Sequence, residues 1–508
     1  MSEENELTNK TLYNSQGDIE LGNKLENPYT IENMNKAYDT LLSNGIISKV
    51  PFQIRPTHYY IKFSPKNINE YNSLKDNNKL LLFDYPLDYE IITQGNRYHD
   101  KTLPDSVPTY QYSVIKDTTL LPSSVKWSLL SALYIPEEDT SLLQADMSNL
   151  DYATKLLDQV YIQTHNYQDT IKNIDNGKSS SYHPHGQILI FDTRLNKTIG
   201  LEGLQVYARR WFTVTGARPD FDGNYYMKGT FNRPCNYSLY FDTEDFEIRE
   251  HFFGLTHWIN GPKISGAWNH TIENGYDRFT GHVFRGAYRY HYKYIDGLGR
   301  PSRPSGERTI YIAKDCQKNW SGVNWIVFPV IKIPRYGSNA QEYDSDEIFS
   351  TTIHETAHTS HVIVMNAGVI QYSQVSSLIQ ESWPVAVEWW LTKLEYKNTR
   401  GIINYGDYDY SVDVQYPNKY AYQYWNKSFS TDYTTLFINL IDNHNELNNQ
   451  YGNKLGSVED LVYNYTLSGI EQKILKHSYG NSSLSTQLKN NKPSNVTDAQ
   501  IDILMRYY

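Results

Sequence analysis

The hydrophobic period changes several times along the chain. Residues 28–42 carry apolar positions at helical spacing, with Asn44-Gly45 as a stop, and predict a helix. Residues 59–63 alternate and predict a strand; residues 67–75 predict a short helix, and residues 80–86 a buried strand ended by Pro86. Pro104, Pro108 and Pro122 mark a loop-rich connection, after which residues 128–133 and 147–157 read as helical. This mixture predicts an N-terminal α+β region over residues 27–177, behind a polar tether over residues 1–26. The polar stretch 177–186 reads as a linker.

Short strands at 187–192, 204–208 and 237–241, with a turn at 220–224, then predict a central β-sandwich over residues 186–250. Farther on, residues 275–294 predict a helix, and residues 309–313 and 324–330 predict strands. The run 326–333 is expected at a sheet edge, because Pro329 and Pro334 cannot donate to a ladder. Helices are expected at 346–366, 432–443, 457–464, 469–476 and 497–507. The fold class is therefore multidomain α+β, with a C-terminal α+β domain over residues 262–508.

Within residues 346–366 stands His354-Glu355-Thr356-Ala357-His358, the pattern H-E-x-x-H. Residues four apart lie one turn above each other on a helix, so both imidazoles can reach one metal ion. Glu355 projects to the edge of that face, where it can accept a proton from a metal-bound water without ligating the metal. Asp344 to Glu347 offers the N-cap, and Gly368 a stop. A catalytic zinc needs a third protein ligand and an open position. The next acid along the chain is Glu381, in Gln380-Glu381-Ser382-Trp383-Pro384-Val385-Ala386-Val387-Glu388. His361, seven residues after His354, is a fourth ligand, a substrate contact or a packed histidine; a fourth protein ligand would close the site. His183 and His185 alternate but lack a third ligand and read as surface.

These residues resemble the gluzincin zinc metallopeptidases, in which a glutamate on a second helix follows the second histidine. The resemblance implies Zn2+ as cofactor, His354, His358 and Glu381 as its ligands, and Glu355 as general base. It implies a zincin-like peptidase domain, in which Glu388 either holds a ligand histidine or is a helix-surface acid. It also implies an oxyanion-steadying tyrosine beyond the third ligand, for which Tyr420 and Tyr424 are the candidates. Pro384 departs from the family pattern: it is expected to interrupt the second helix, leaving Ser382 to cap a helix that starts there. The metzincin pattern does not fit, since His361 and Val364 occupy its glycine and third-histidine places. Residues 186–250 resemble the transthyretin-like domain found beside secreted peptidases. Residues 28–108, with Phe83-Asp84-Tyr85-Pro86-Leu87-Asp88 and His99-Asp100, resemble the N-terminal region of exported bacterial lipoproteins.

Composition narrows the partners. The 508 residues carry 47 basic and 57 acidic groups, net −10, with no basic block, which argues against nucleic acid and anionic membranes. No apolar run reaches eighteen residues, so no transmembrane span is expected. The start Met1-Ser2-Glu3-Glu4-Asn5 is no signal peptide. Either the protein is cytoplasmic, or an export signal with a lipid anchor has been removed; the acidic, Asn-rich start favours a secreted or cell-surface protein. Cys235 and Cys316 are two free thiols or one disulfide. The 45 tyrosines suit sugar or peptide contacts, or reflect lineage bias. The expected activity is zinc-dependent endopeptidase hydrolysis of extracellular proteins or glycoproteins. The alternative is a surface glycan- or protein-binding lipoprotein with a vestigial or structural metal site. Oligomeric state is not legible.

Overall fold

A computed structural model describes residues 19–48, 53–77, 79–93, 95, 98–116, 121–139, 148–167, 181–250, 256–301, 308–317, 322–325, 329–365, 372–403, 405–406, 430–445 and 458–508. The chain is mixed α and β and divides into two compact units. The first comprises residues 1–189, 200–244 and 253–271; the second comprises residues 190–199, 245–252 and 272–508. Most of the tether, residues 177–180 of the linker, Ile326, Gly368, Tyr420 and Tyr424 lie outside the described residues.

The first unit opens with strand β1 (Glu20–Lys24) and helix α1 (Ile31–Ser43). Thr30 caps α1 by accepting from Asn33 N, and Met34, Ala37 and Leu41 form its buried stripe. Next come β2 (His58–Ser64), α2 (Ile68–Lys75), β3 (Tyr89–Thr93), β4 (Gln111–Ile115), β5 (Lys126–Leu133) and α3 (Ser148–Gln163). One sheet has the order β4-β2-β5, and β1 pairs with β3.

Two expectations fail here. Residues 128–133 are strand, not helix: they pair antiparallel with β2 from His58↔Leu133 to Ser64↔Lys126, and cross-strand pairing overrides helix propensity. Residues 80–86 form no strand; Leu80, Leu82 and Phe83 are buried, but Phe83 makes only a single bridge, to Tyr112.

The sandwich is built from β6 (His185–Asp192), β7 (Lys197–Gly200), β8 (Gln205–Arg210), β9 (Thr213–Ala217), β10 (Asn224–Tyr226), β11 (Cys235–Tyr240), β13 (Trp258–Ile264) and β14 (Ala267–Ile272). One sheet runs β10-β6-β14 and the other β13-β11-β8-β9. Their inner faces bury Ile188, Val206, Ala208 and Leu239, and Trp268 of β14 packs on Tyr237 of β11 at 5.4 Å. At the β8–β9 turn, Trp211 and Phe212 enter the same core as Tyr29 and Leu156, which joins β8 and β9 to the α+β region in one unit.

The second unit contains β12 (Phe246–Arg249), helix α4 (Gly275–Tyr292), β15 (Thr309–Gln317), β16 (Gly322–Trp325) and β17 (Pro329–Tyr336). After them come α5 (Ser345–Val364), α6 (Ser377–Lys393), α7 (Asn481–Asn490) and α8 (Asp498–Met505). Its sheet has the order β12-β15-β17-β16, with β12, β15 and β17 parallel and β16 antiparallel to β17. The edge expected at 326–333 is therefore misplaced. β17 lies inside the sheet, and β16 is the outer strand. Pro334 is tolerated because β16 reaches only as far as Lys332.

Residues 458–464 are not helical either. Asp460 Oδ1 accepts from Val462 N at 3.0 Å, a local bond that competes with helix formation. The helix expected over 432–443 shrinks to Leu436–Asn439, and α7 was not anticipated. Cys235 is buried and Cys316 partly exposed; both are free.

Candidate metal centre

Helix α5 begins where its sequence indicates. Glu347 Oε2 accepts from Asp344 N at 2.7 Å, closing a capping box. Ser345 and Thr193 bond each other reciprocally at 2.9 Å, and Ser345 Oγ also meets His282 Nε2 of α4 at 2.9 Å. Fixing the start of the helix fixes the rotation of everything on it. The same register places His354, Glu355 and His358 about two and a half to three and a half turns farther on, where His354 and Glu355 are each 7% exposed.

Helix α6 runs unbroken from Ser377 to Lys393 through Pro384. The interruption expected at Pro384 does not occur, and Ser382 is no cap. Ser376 is the N-cap residue, and Ser382 Oγ instead bonds Thr434 Oγ1 and Asp432 O, both at 2.7 Å. Proline there forfeits one backbone bond, to Gln380 O, and the packing of buried Trp383, Pro384 and Ala386 against the core offsets it. Because the helix is continuous, Glu381 and Glu388 share a face two turns apart.

That face meets α5. Glu381 Oε2 lies 3.5 Å from His354 Nε2 and 3.4 Å from His358 Nε2. Among the described residues, His354, His358 and Glu381 are the group whose ligand atoms all lie within 4.8 Å of one another. Ligands of a tetrahedral zinc, about 2.05 Å from the ion, stand about 3.3–3.4 Å apart. Glu381 Oε2 is also buried without a hydrogen-bond partner of normal geometry, being too far from either imidazole for a strong bond. Two imidazoles facing one orphaned carboxylate oxygen are a group that could hold a divalent metal ion.

The outer nitrogens of both imidazoles are held. His354 Nδ1 is 3.3 Å from Glu388 Oε2, and His358 Nδ1 is 2.9 Å from Tyr372 Oη. These contacts orient the rings and leave each Nε2 pointing at Glu381. Burial opposes charge on His354, but Glu388 and Glu381 outweigh it and raise its pKa to about 10. Burial likewise opposes charge on Glu381, yet the two histidines hold it well below the usual carboxylate range. Burial pushes Glu355 up, against the opposing pull of His354 and His358.

His361 is fully buried and outside the three-ligand group. It packs edge-on against Tyr372 at 5.1 Å, neither ring nitrogen has a hydrogen-bond partner, and burial and then His358 lower its pKa to about 3.

Two residues at the centre escaped the sequence reading: Tyr372, and Tyr433, which stacks on His354 at 5.7 Å and lies near Glu381. Tyr433 is carried there by its neighbours, since Asp432 and Thr434 bond Ser377 and Ser382 of α6. No period or spacing signals this; the serines on α6 are the only trace. His183 and His185 lie elsewhere, against Tyr226 in the sandwich.

No protein-family model and no curated protein matches the chain. Among solved structures, a 9R-lipoxygenase from Cyanothece overlaps 27% of this chain and 23% of its own, at 14% identity and a TM-score of 0.11, too low to bear on fold or function. No helix among the described residues is long and apolar enough to cross a membrane.

Proposed function

We propose that the chain is a zinc-dependent endopeptidase of gluzincin type, with His354, His358 and Glu381 as ligands and Glu355 as general base. The observation that carries this reading is the convergence of three ligand atoms within 4.8 Å of one another, with Glu381 Oε2 3.5 Å from His354 Nε2 and 3.4 Å from His358 Nε2, and with Glu355 on the same helix. In this reading residues 262–508 form the zincin-like domain, the two facing sheets form the transthyretin-like accessory domain, and the protein acts outside the cell.

When bound, zinc supplies Lewis acidity to a carbonyl oxygen and acidifies water. The protein's own residues do the rest. Glu355 accepts the proton of the attacking water and returns it to the leaving amine; burial raises its proton affinity toward that task. Tyr433 is half exposed beside His354, so its hydroxyl can donate to a developing oxyanion; in this reading it takes the role expected for Tyr420 or Tyr424. Glu388 and Tyr372 hold the two imidazoles. An extended substrate lies along β16, whose outer side carries no partner strand among the described residues; β16 packs against α5.

The test is metal content of purified wild type, His358→Ala and Glu381→Ala, followed by peptide hydrolysis with Glu355→Gln as control. One zinc per chain, lost in both ligand variants, with hydrolysis lost in Glu355→Gln while zinc stays, is the expected result. Zinc retained by wild type without hydrolysis of any protein substrate favours the binding-lipoprotein alternative. Wild type that takes up no zinc when supplied with it refutes the proposal.

A further inference from the structure

A cavity of about 390 Å³ lies in the first unit, between β3 and the outer face of the β8–β11–β13 sheet. Its volume is in the range of small-molecule sites. Arg209, Asn236 and Lys263 form its polar side. The pairing register sets Arg209 opposite Asn236, and Asn236 opposite Lys263, so the three side chains stand in one row on one face. The opposite face of the same strands carries Ala208 and Tyr237 into the sandwich core. Leu87 and Ile91 supply an apolar wall across from this row.

Arg209 is the decisive group. It is only 7% exposed, and among the described residues no carboxylate pairs with it. Its guanidinium donates to Trp211 O at 2.9 Å, reaches Tyr85 Oη at 3.5 Å, and lies over the Phe83 and Tyr85 rings. Those contacts are neutral. A buried cation without an anion is costly unless a counter-charge is supplied. Lys263 and Glu90 line the cavity as well, while the guanidinium of neighbouring Arg210 lies over the Tyr161 ring at 4.6 Å, where it faces the buried carboxylate of Glu137. Trp211 also lines the cavity, and its φ of +48° is what the two-residue turn between β8 and β9 requires.

We propose that this cavity binds a small organic carboxylate with an apolar body. The carboxylate pairs with Arg209, Asn236 and Lys263 donate to it as well, and the body lies against Leu87 and Ile91. Arginine presents two parallel donors that match a carboxylate, which a neutral isostere cannot use. This site is independent of the metal centre and of the activity proposed there.

The probe is 3-phenylpropionate, titrated into the full-length protein by calorimetry. Its amide, 3-phenylpropionamide, is the control of equal shape without charge, and inorganic phosphate is the control of charge without an apolar body. Expected are saturable binding of the acid at about millimolar affinity or tighter, at least tenfold weaker binding of the amide, and no displacement by equimolar phosphate. Arg209→Met should weaken the acid at least tenfold. Arg209→Lys, which keeps the charge, should recover part of it and so separate lost binding from lost fold. Zinc content should be the same in both variants as in wild type. Equal binding of acid and amide overturns the proposal, as does wild-type affinity in Arg209→Met, displacement by phosphate, or the absence of any binding by wild type.

Discussion

Glu388→Ala asks whether the carboxylate behind His354 holds that proposed metal ligand or is itself the ligand. In the structure Glu388 Oε2 is 3.3 Å from Nδ1, the nitrogen turned away from Glu381. Loss of such an outer contact weakens metal binding by about 10- to 100-fold, or about 1.4–2.7 kcal/mol. The low end is expected, because 3.3 Å exceeds the roughly 2.7–2.9 Å of a strong charge-assisted bond. Glu388→Gln keeps an acceptor for Nδ1–H and should lose about threefold or less. The assay is competition for zinc against a chromophoric chelator at fixed pH, with Glu381→Ala in parallel. Glu381→Ala should abolish stoichiometric binding, because it removes the oxygen that both Nε2 atoms face. Zinc affinity in Glu388→Ala within twofold of wild type refutes the orienting role. Abolished binding in Glu388→Ala, with binding retained in Glu381→Ala, reverses the roles of the two glutamates.

Three further outcomes follow from the same geometry. Tyr433→Phe should keep zinc and lower kcat by about 10²–10³-fold with KM little changed, as loss of an oxyanion donor does; an unchanged kcat in steady-state hydrolysis removes Tyr433 from the mechanism. Gly286→Ala sets two effects against each other: helix propensity favours alanine by about 1 kcal/mol, but a Cβ there would lie 2.8 Å from Phe349 O and from Thr352 Cβ of α5. Overpacking against an immovable carbonyl costs about 1–3 kcal/mol, so urea unfolding should show a net loss, and a gain would refute the close contact of α4 with α5. Asp346, at the start of α5, is pushed up to about 7 by burial, against the opposing pull of Arg194 and Tyr405. Its folded pKa is raised, so ionising it costs the fold nothing below about pH 4, progressively more toward pH 7, and a constant amount above; stability of Asp346→Asn relative to wild type should rise across that window, and a flat difference would refute the shift.

What could be read from the chain is what local physics sets. The spacing of His354 and His358 places both imidazoles on one face of any helix that includes them, and Asp344 with Glu347 says where that helix starts. The alternation in residues 59–63 and 187–192 is likewise a property of a few consecutive side chains, and strands stand there. Glu381 was reached through resemblance to a family, not through periodicity. Its convergence on the two histidines depends on how α6 crosses α5 and on a proline that a local rule reads as a break. Tertiary packing decided that proline's fate, because a buried, well-packed turn tolerates one lost backbone bond. Packing also decided the strand at 126–133, the inner position of β17 and the arrival of Tyr433 and Tyr372 beside the histidines. Each depends on partners far away in sequence: β2 for the strand, β15 and β16 for β17, and the serines of α6 for Tyr433. The chain alone determined which side chains can ligate and on which helical face they lie. Only the packed structure decided which of them meet, because contact between distant segments is settled by the burial and hydrogen bonding of whole elements rather than by any short window of residues.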